Sequence, residues 1–159
     1  DQVRHEYHHV PMPNHVFAEN SCIEIAYKNN YDYFFIVNLD DIYDISRIEK
    51  QLKVLNAGYD LVSSDFVRFH DNNDTQEFKM SVLNLGEEIS KNHNIIAHPV
   101  VAFNRNFWEK CRYFDVNGIP EEDFSLWKKA YEKGLKINII PEILLRQRVH
   151  DNNTSKKIQ

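Results

Sequence analysis

Tyr33-Phe34-Phe35-Ile36-Val37-Asn38-Leu39-Asp40-Asp41 is the stretch on which the reading of this 159-residue chain turns. The run 33–39 is almost continuously apolar and aromatic, which predicts a strand buried on both faces. It ends abruptly in two carboxylates. Open α/β sheets bind ligands in the crevice outside the carboxyl ends of their strands, so Asn38, Asp40 and Asp41 are delivered to that crevice. Hard oxygen ligands there suit Mg²⁺ or Mn²⁺, with positions left open for phosphate oxygens. A plainer alternative stands beside this one: aspartate is a common turn residue, and Asp41 or Asp44 could cap the helix that follows.

Working outward, Ser46 and Glu49 have the spacing of a capping box. The helix after them carries Ile48, Leu52 and Leu55 on one face and stops at Gly58. Residues 60–69 read as a second strand, and a strand–helix–strand unit predicts an α/β fold with a mostly parallel sheet. Residues 16–27 have helical apolar spacing, with Asn14 as cap. Residues 94–103 read as a strand broken at Pro99, and residues 107–111 as a short helix. Pro120 precedes Glu121, Glu122 and Asp123 at a helix start, where negative charge is favoured. That helix buries Phe124, Trp127, Ala130 and Tyr131 and ends at Gly134; residues 136–140 and 143–149 close the domain as two strands. The aromatics Tyr33, Phe34, Phe35, Phe107 and Trp108 are expected in the core rather than on a sugar-stacking platform.

The length suits one domain with a sizeable core. A net charge of −5 argues against nucleic acid, which needs a basic face. Cys22 and Cys111 lie far apart in helical contexts, which fits reduced thiols and a cytoplasmic setting. No apolar run approaches the roughly 20 residues that cross a bilayer, so no transmembrane segment is expected. Peripheral association with the cytosolic face of a membrane stays open.

Two further constellations carry chemistry. Glu121, Glu122 and Asp123 repel one another, which raises at least one carboxyl pKa toward that of a general base; ordinary decoration of a helix start explains them too. At the end of the last strand, Arg148 suits a carboxylate or diphosphate and His150 a metal or phosphate, unless both simply face solvent. His5, His8 and His9 offer a third possibility, a zinc site, but their spacing does not match closed sites and neither cysteine is near.

Taken in order, these motifs resemble the family 2 glycosyltransferases. The family's acidic strand end matches Asn38-Leu39-Asp40-Asp41-Ile42-Tyr43, followed by Arg47-Ile48-Glu49 and then Asp60-Leu61-Val62. Further on come His98-Pro99 before an apolar strand and Arg105, then Glu122-Asp123-Phe124-Ser125-Leu126-Trp127. Ile140-Pro141-Glu142-Ile143-Leu144 and Arg148-Val149-His150 complete the set, so the likeness covers residues 17–155.

The resemblance implies a GT-A-like, mixed and mostly parallel sheet flanked by helices and an inverting, hexosyltransferase-like activity. Its donor would be a nucleotide-sugar, a UDP-sugar first among them, and its acceptor a glycan, lipid or protein. Asp40, Asp41 and His150 would hold Mn²⁺ or Mg²⁺, and Asp123 would be the base. Asn38, His98, Glu122, Trp127 and Arg148 would contact substrate. Two departures stand out. Asn38 fills a position usually acidic in the family, and the family's first strand–helix units, which hold the nucleotide base, have no counterpart before residue 17. Residues 4–10 match at most the last strand of that half. Residues 1–155 are therefore expected to be a partial domain, with a polar tail at 156–159, whose activity as a fragment is open. The alternative is a non-catalytic GT-A-like domain that binds a sugar or a partner protein.

Overall fold

A computed structural model describes residues 6–7, 14–70, 74–115, 117 and 121–150. His5, His8, His9, Pro120 and the tail lie outside them. The elements in order are α1 (His15–Lys28), β1 (Tyr33–Phe35), β2 (Ile42–Tyr43), α2 (Arg47–Asn56), β3 (Leu61–His70) and β4 (Thr75–Phe78). Then follow α3 (Leu85–Ser90), β5 (Ala102–Asn104), α4 (Arg105–Cys111), α5 (Glu122–Glu132) and β6 (Ile137–Val149).

The sheet runs β1-β5-β3-β6-β2, with β4 beside the far half of β3. Among the described strands only β3 and β6 pair in parallel; the other pairs are antiparallel. The expected α/β class and mixed sheet hold, but most of the described strand pairs are antiparallel rather than parallel. Consecutive strand residues point to opposite faces, and the core divides accordingly. Leu61 and Phe103 enter a cluster with α1, α4 and α5, including Val16, Trp108 and Trp127. Val62 and Ala102 enter the opposite cluster with Leu55, Phe66, Leu144 and Leu145.

Local readings meet local physics unevenly. Asn14 caps α1, its side chain accepting from Phe17 N at 3.1 Å. Gly58 and Gly134 adopt φ of 94° and 70°, a region that costs a residue without a Cβ little. The 136–140 and 143–149 strands are one element, β6. Its register slips against β3 around Ser64, Asp65 and Phe66, leaving Pro141 and Glu142 without ladder partners. A proline can sit there because no ladder bond needs its missing N–H. The break at Pro99 is a 3₁₀ turn, His98–Val100, before the short β5.

Three expectations are corrected. The strand read at 33–39 extends only to Phe35; Val37 is half exposed and Leu39 fully exposed. Within β1 only Phe34 is buried, with Tyr33 exposed and Phe35 intermediate, so the run is not buried on both faces. Ser46 does not close a capping box. Its N–H instead donates to Asp44 Oδ1 at 2.9 Å, and its hydroxyl bonds the same oxygen. The buried face of α2 is Arg47, Gln51 and Leu55, while Ile48 points to solvent.

Candidate active site

Residues 36–41 leave β1 and turn into β2, and the β2–β6 pairing decides where the acids go. Ile42 lies opposite Arg146 and Tyr43 opposite Leu145, antiparallel. Continued backward, that register sets Asp40 across from Arg148, next to His150. The Asp40 carboxylate meets His150 Nε2 at 3.0 Å, and the Arg148 Nε–H donates to the Asp40 carbonyl at 3.3 Å. The hydrogen bond from His150, with its charge and that of Arg148, holds the Asp40 carboxyl below its usual range.

Asp41 has a different environment. Its Oδ1 accepts from Arg148 N at 2.9 Å and its Oδ2 from the Asn38 side chain at 3.4 Å. Burial pushes its pKa up, with the neighbouring Asp40 charge in the same direction. Asp41 ties the turn to β6 and does not line the cleft described below, so the acidic pair splits into one cleft-facing carboxylate and one brace.

The opposite wall comes from α1, α5 and the segment before β5. Asp123 stands in the first turn of α5, and the Asn94 amide donates to its Oδ2 at 3.2 Å. Burial raises the Asp123 pKa; the nearby His98 charge pulls it down and the Glu122 charge adds to the rise. His98 Nε2 lies 2.9 Å from Glu19 Oε1. Burial works to lower the His98 pKa, but the Glu19 hydrogen bond and the charges of Glu19, Asp123 and Glu122 prevail and raise it. His15 Nε2 lies 3.3 Å from Glu122 Oε1.

One cleft of about 1240 Å³ joins the two walls. Its lining includes Asn38, Asp40 and His150 on one side and His98, Glu122 and Asp123 on the other. That volume exceeds the few hundred Å³ that hold a small metabolite. Trp127 takes another place: it is fully buried behind His98, with ring centroids 6.2 Å apart, and packs on Phe107 and Phe114. Its ring backs the wall rather than offering a face to a ligand. The Arg148 guanidinium lies over the Phe69 ring, 5.0 Å from its centroid.

Sequence pattern alone does not single out Asn94, Glu19 and His15. Asn94 sits in a polar stretch with no periodicity, and Glu19 and His15 lie on a helix face whose partner is distant in the chain. Their i, i+4 spacing on α1 is the one available signal. Cys22 and Cys111 are both free thiols.

The donor set bears on the expected cation. Among the described residues no trio of His, Cys, Asp and Glu side chains gathers to hold an ion by itself. Asp40 and His150 nonetheless bring one oxygen and one nitrogen ligand to a common point. Mg²⁺-type sites are commonly built from one or two carboxylates completed by substrate phosphates and water, so Asp40, with the His150 ring beside it, fits a cation that arrives with a diphosphate.

A mixed α/β domain with this two-walled polar cleft at its strand ends is the class that fold and site define. The chain is similar to a Methanocaldococcus jannaschii protein named an uncharacterized glycosyltransferase, 32% identical over 148 residues. The likeness takes in 87% of this chain and 49% of that protein, so the chain spans about half the length of the curated relative it matches. No family model matches the sequence. No helix among the described residues is long and apolar enough to cross a membrane.

Proposed function

We propose that the chain is the metal- and acceptor-side part of a family 2, GT-A-type glycosyltransferase. It moves a sugar from a nucleoside diphosphate, a UDP-sugar first among the candidates, to an acceptor hydroxyl. The observation that carries this reading is the cleft with Asp40 and His150 on one wall and Asp123 on the other. The likeness to the archaeal relative supports it independently.

In this reading Asp40 and His150 hold Mn²⁺ or Mg²⁺, while Asn38 and Arg148 stand beside the donor. When bound, the cation supplies neutralisation of the charge that collects on a departing diphosphate. Asp123 holds the acceptor. The acceptor oxygen bonds the anomeric carbon as the bond to the diphosphate oxygen breaks, and the hydroxyl proton passes to Asp123. One displacement with no enzyme nucleophile inverts the anomeric centre. Burial raises the Asp123 pKa, which makes it a stronger base than an ordinary exposed carboxylate. His98 and Glu122 shape the acceptor side, and Trp127 fixes His98 from behind.

Calorimetric titration of UDP into the full-length protein, with and without Mn²⁺, tests this. Affinity should depend on the metal and fall in Asp40→Ala. Asp123→Asn should leave nucleotide affinity intact and slow transfer by about 10²–10⁴-fold. Metal-independent binding without transfer points instead to a GT-A-like binding module, and full transfer by Asp123→Asn would remove Asp123 from the role of base.

A further inference from the structure

A buried polar ladder runs beneath the cleft floor, and nothing in the proposed chemistry uses it. Tyr43, Arg47 and Gln51 are spaced by four, from the end of β2 through the first turns of α2. Arg47 is 3% exposed and Gln51 fully buried. Burying a guanidinium is costly unless its donors are satisfied. Arg47 Nε donates to Gln51 Oε1 at 2.9 Å, and Nη2 donates to the carbonyls of Ile36 at 2.7 Å and Val101 at 3.3 Å. Its guanidinium also lies 4.4 Å from the centre of the Tyr43 ring. An amide oxygen, two main-chain carbonyls and an aromatic face thus surround this cation, all of them neutral groups. Its place is set by fixed acceptors rather than by a countercharge.

What these groups hold is informative. The Tyr43 hydroxyl accepts from Asn38 N at 2.8 Å and donates to the Pro99 carbonyl at 3.1 Å. Gln51 Nε2 donates to the Val100 carbonyl at 2.5 Å and the Val62 carbonyl at 3.4 Å. Ile36 and Asn38 lead into the turn that presents Asp40, and Pro99, Val100 and Val101 follow directly on His98. Both cleft walls therefore hang from one ladder through main-chain bonds, which fix backbone position more firmly than flexible side-chain pairs do. Arg suits this task better than Lys, because its planar fork reaches several fixed acceptors at once.

We infer that Tyr43 and Arg47 are positioning residues that set the turn bearing Asp40 against the His98 wall, and so the spacing between donor and acceptor. This rests on the transferase reading for its purpose, but not for its test. Tyr43→Phe keeps the ring beneath Arg47 and removes only the hydroxyl. Arg47→Lys keeps the charge and loses the fork. Amide hydrogen exchange on the full chain reads the ladder directly. Exchange at Asn38 should quicken about five- to tenfold in Tyr43→Phe, the loss of one ordinary hydrogen bond. Arg47→Lys should loosen the same turn, while Leu61 and Val62 in β3 keep wild-type rates in Tyr43→Phe. The KM for nucleotide-sugar should rise more than kcat falls. Unchanged exchange at Asn38, or a uniform rise across β3 as well, overturns the inference. Failure of wild-type protein to bind nucleotide would count against the transferase reading alone, since the exchange result decides the ladder by itself.

Discussion

Asp123 is the single side chain on which the proposed chemistry depends most, and its surroundings make its behaviour testable by pH. Burial raises its pKa, and a base must be unprotonated, so activity is lost as pH falls through that raised value. The His98 cation opposes the rise and the Glu122 charge adds to it. His98→Asn should therefore move the acid limb of the rate profile to higher pH, and Glu122→Gln should move it to lower pH. Rate profiles of the two variants check the opposed signs; parallel shifts would mean that His98 and Glu122 act on the acceptor and not on the base. At this scale sequence is informative where chemistry is concentrated in a few letters. The placing of Asp40, His150 and Asp123 at element ends is legible, and the structure sets all three along one cleft. The split between Asp40 and Asp41 is not legible, because it depends on which carboxylate the Arg148 backbone takes up.

Helices and strands show where periodic patterns mislead. The apolar positions of α2 predict Ile48 and Leu52 inward, yet the buried stripe begins with Arg47 and Gln51. Hydrophobic spacing registers only apolar burial, and a helix that buries polar groups against strand carbonyls escapes it. The 33–39 run misleads for a related reason: apolar content suggests two-sided burial, whereas Val37 and Leu39 leave the strand beside the cleft. The Asn14 cap and the stops at Gly58 and Gly134 are legible because their causes lie within four residues, whereas the Ser46 box fails because Asp44 takes up its N–H and hydroxyl. The α1 helix also holds a distant segment by a contact no pattern shows. The Asn20 side chain donates to the Phe114 carbonyl at 3.0 Å and accepts from Phe114 N at 2.9 Å, both buried. Asn20→Ala strands two main-chain groups, and urea unfolding should show a loss of about 3 kcal/mol. A loss below about 0.5 kcal/mol would mean that this segment finds other partners.

Across the whole molecule, the cleft exists because separate parts of the chain converge on it. The antiparallel β2–β6 pair brings His150 back to Asp40, and α1, the segment before β5 and α5 close the other side through Glu19, His98 and Asp123. The claim that a cation and a nucleotide share this cleft can be tested without knowing the acceptor. The most direct measurement is the amide NMR spectrum of the protein with saturating UDP and substoichiometric Mn²⁺. Line broadening centred on Asp40, Asp41 and His150, and reaching the His98 wall more weakly, is the predicted result. Broadening centred elsewhere, or none that depends on UDP, would contradict it.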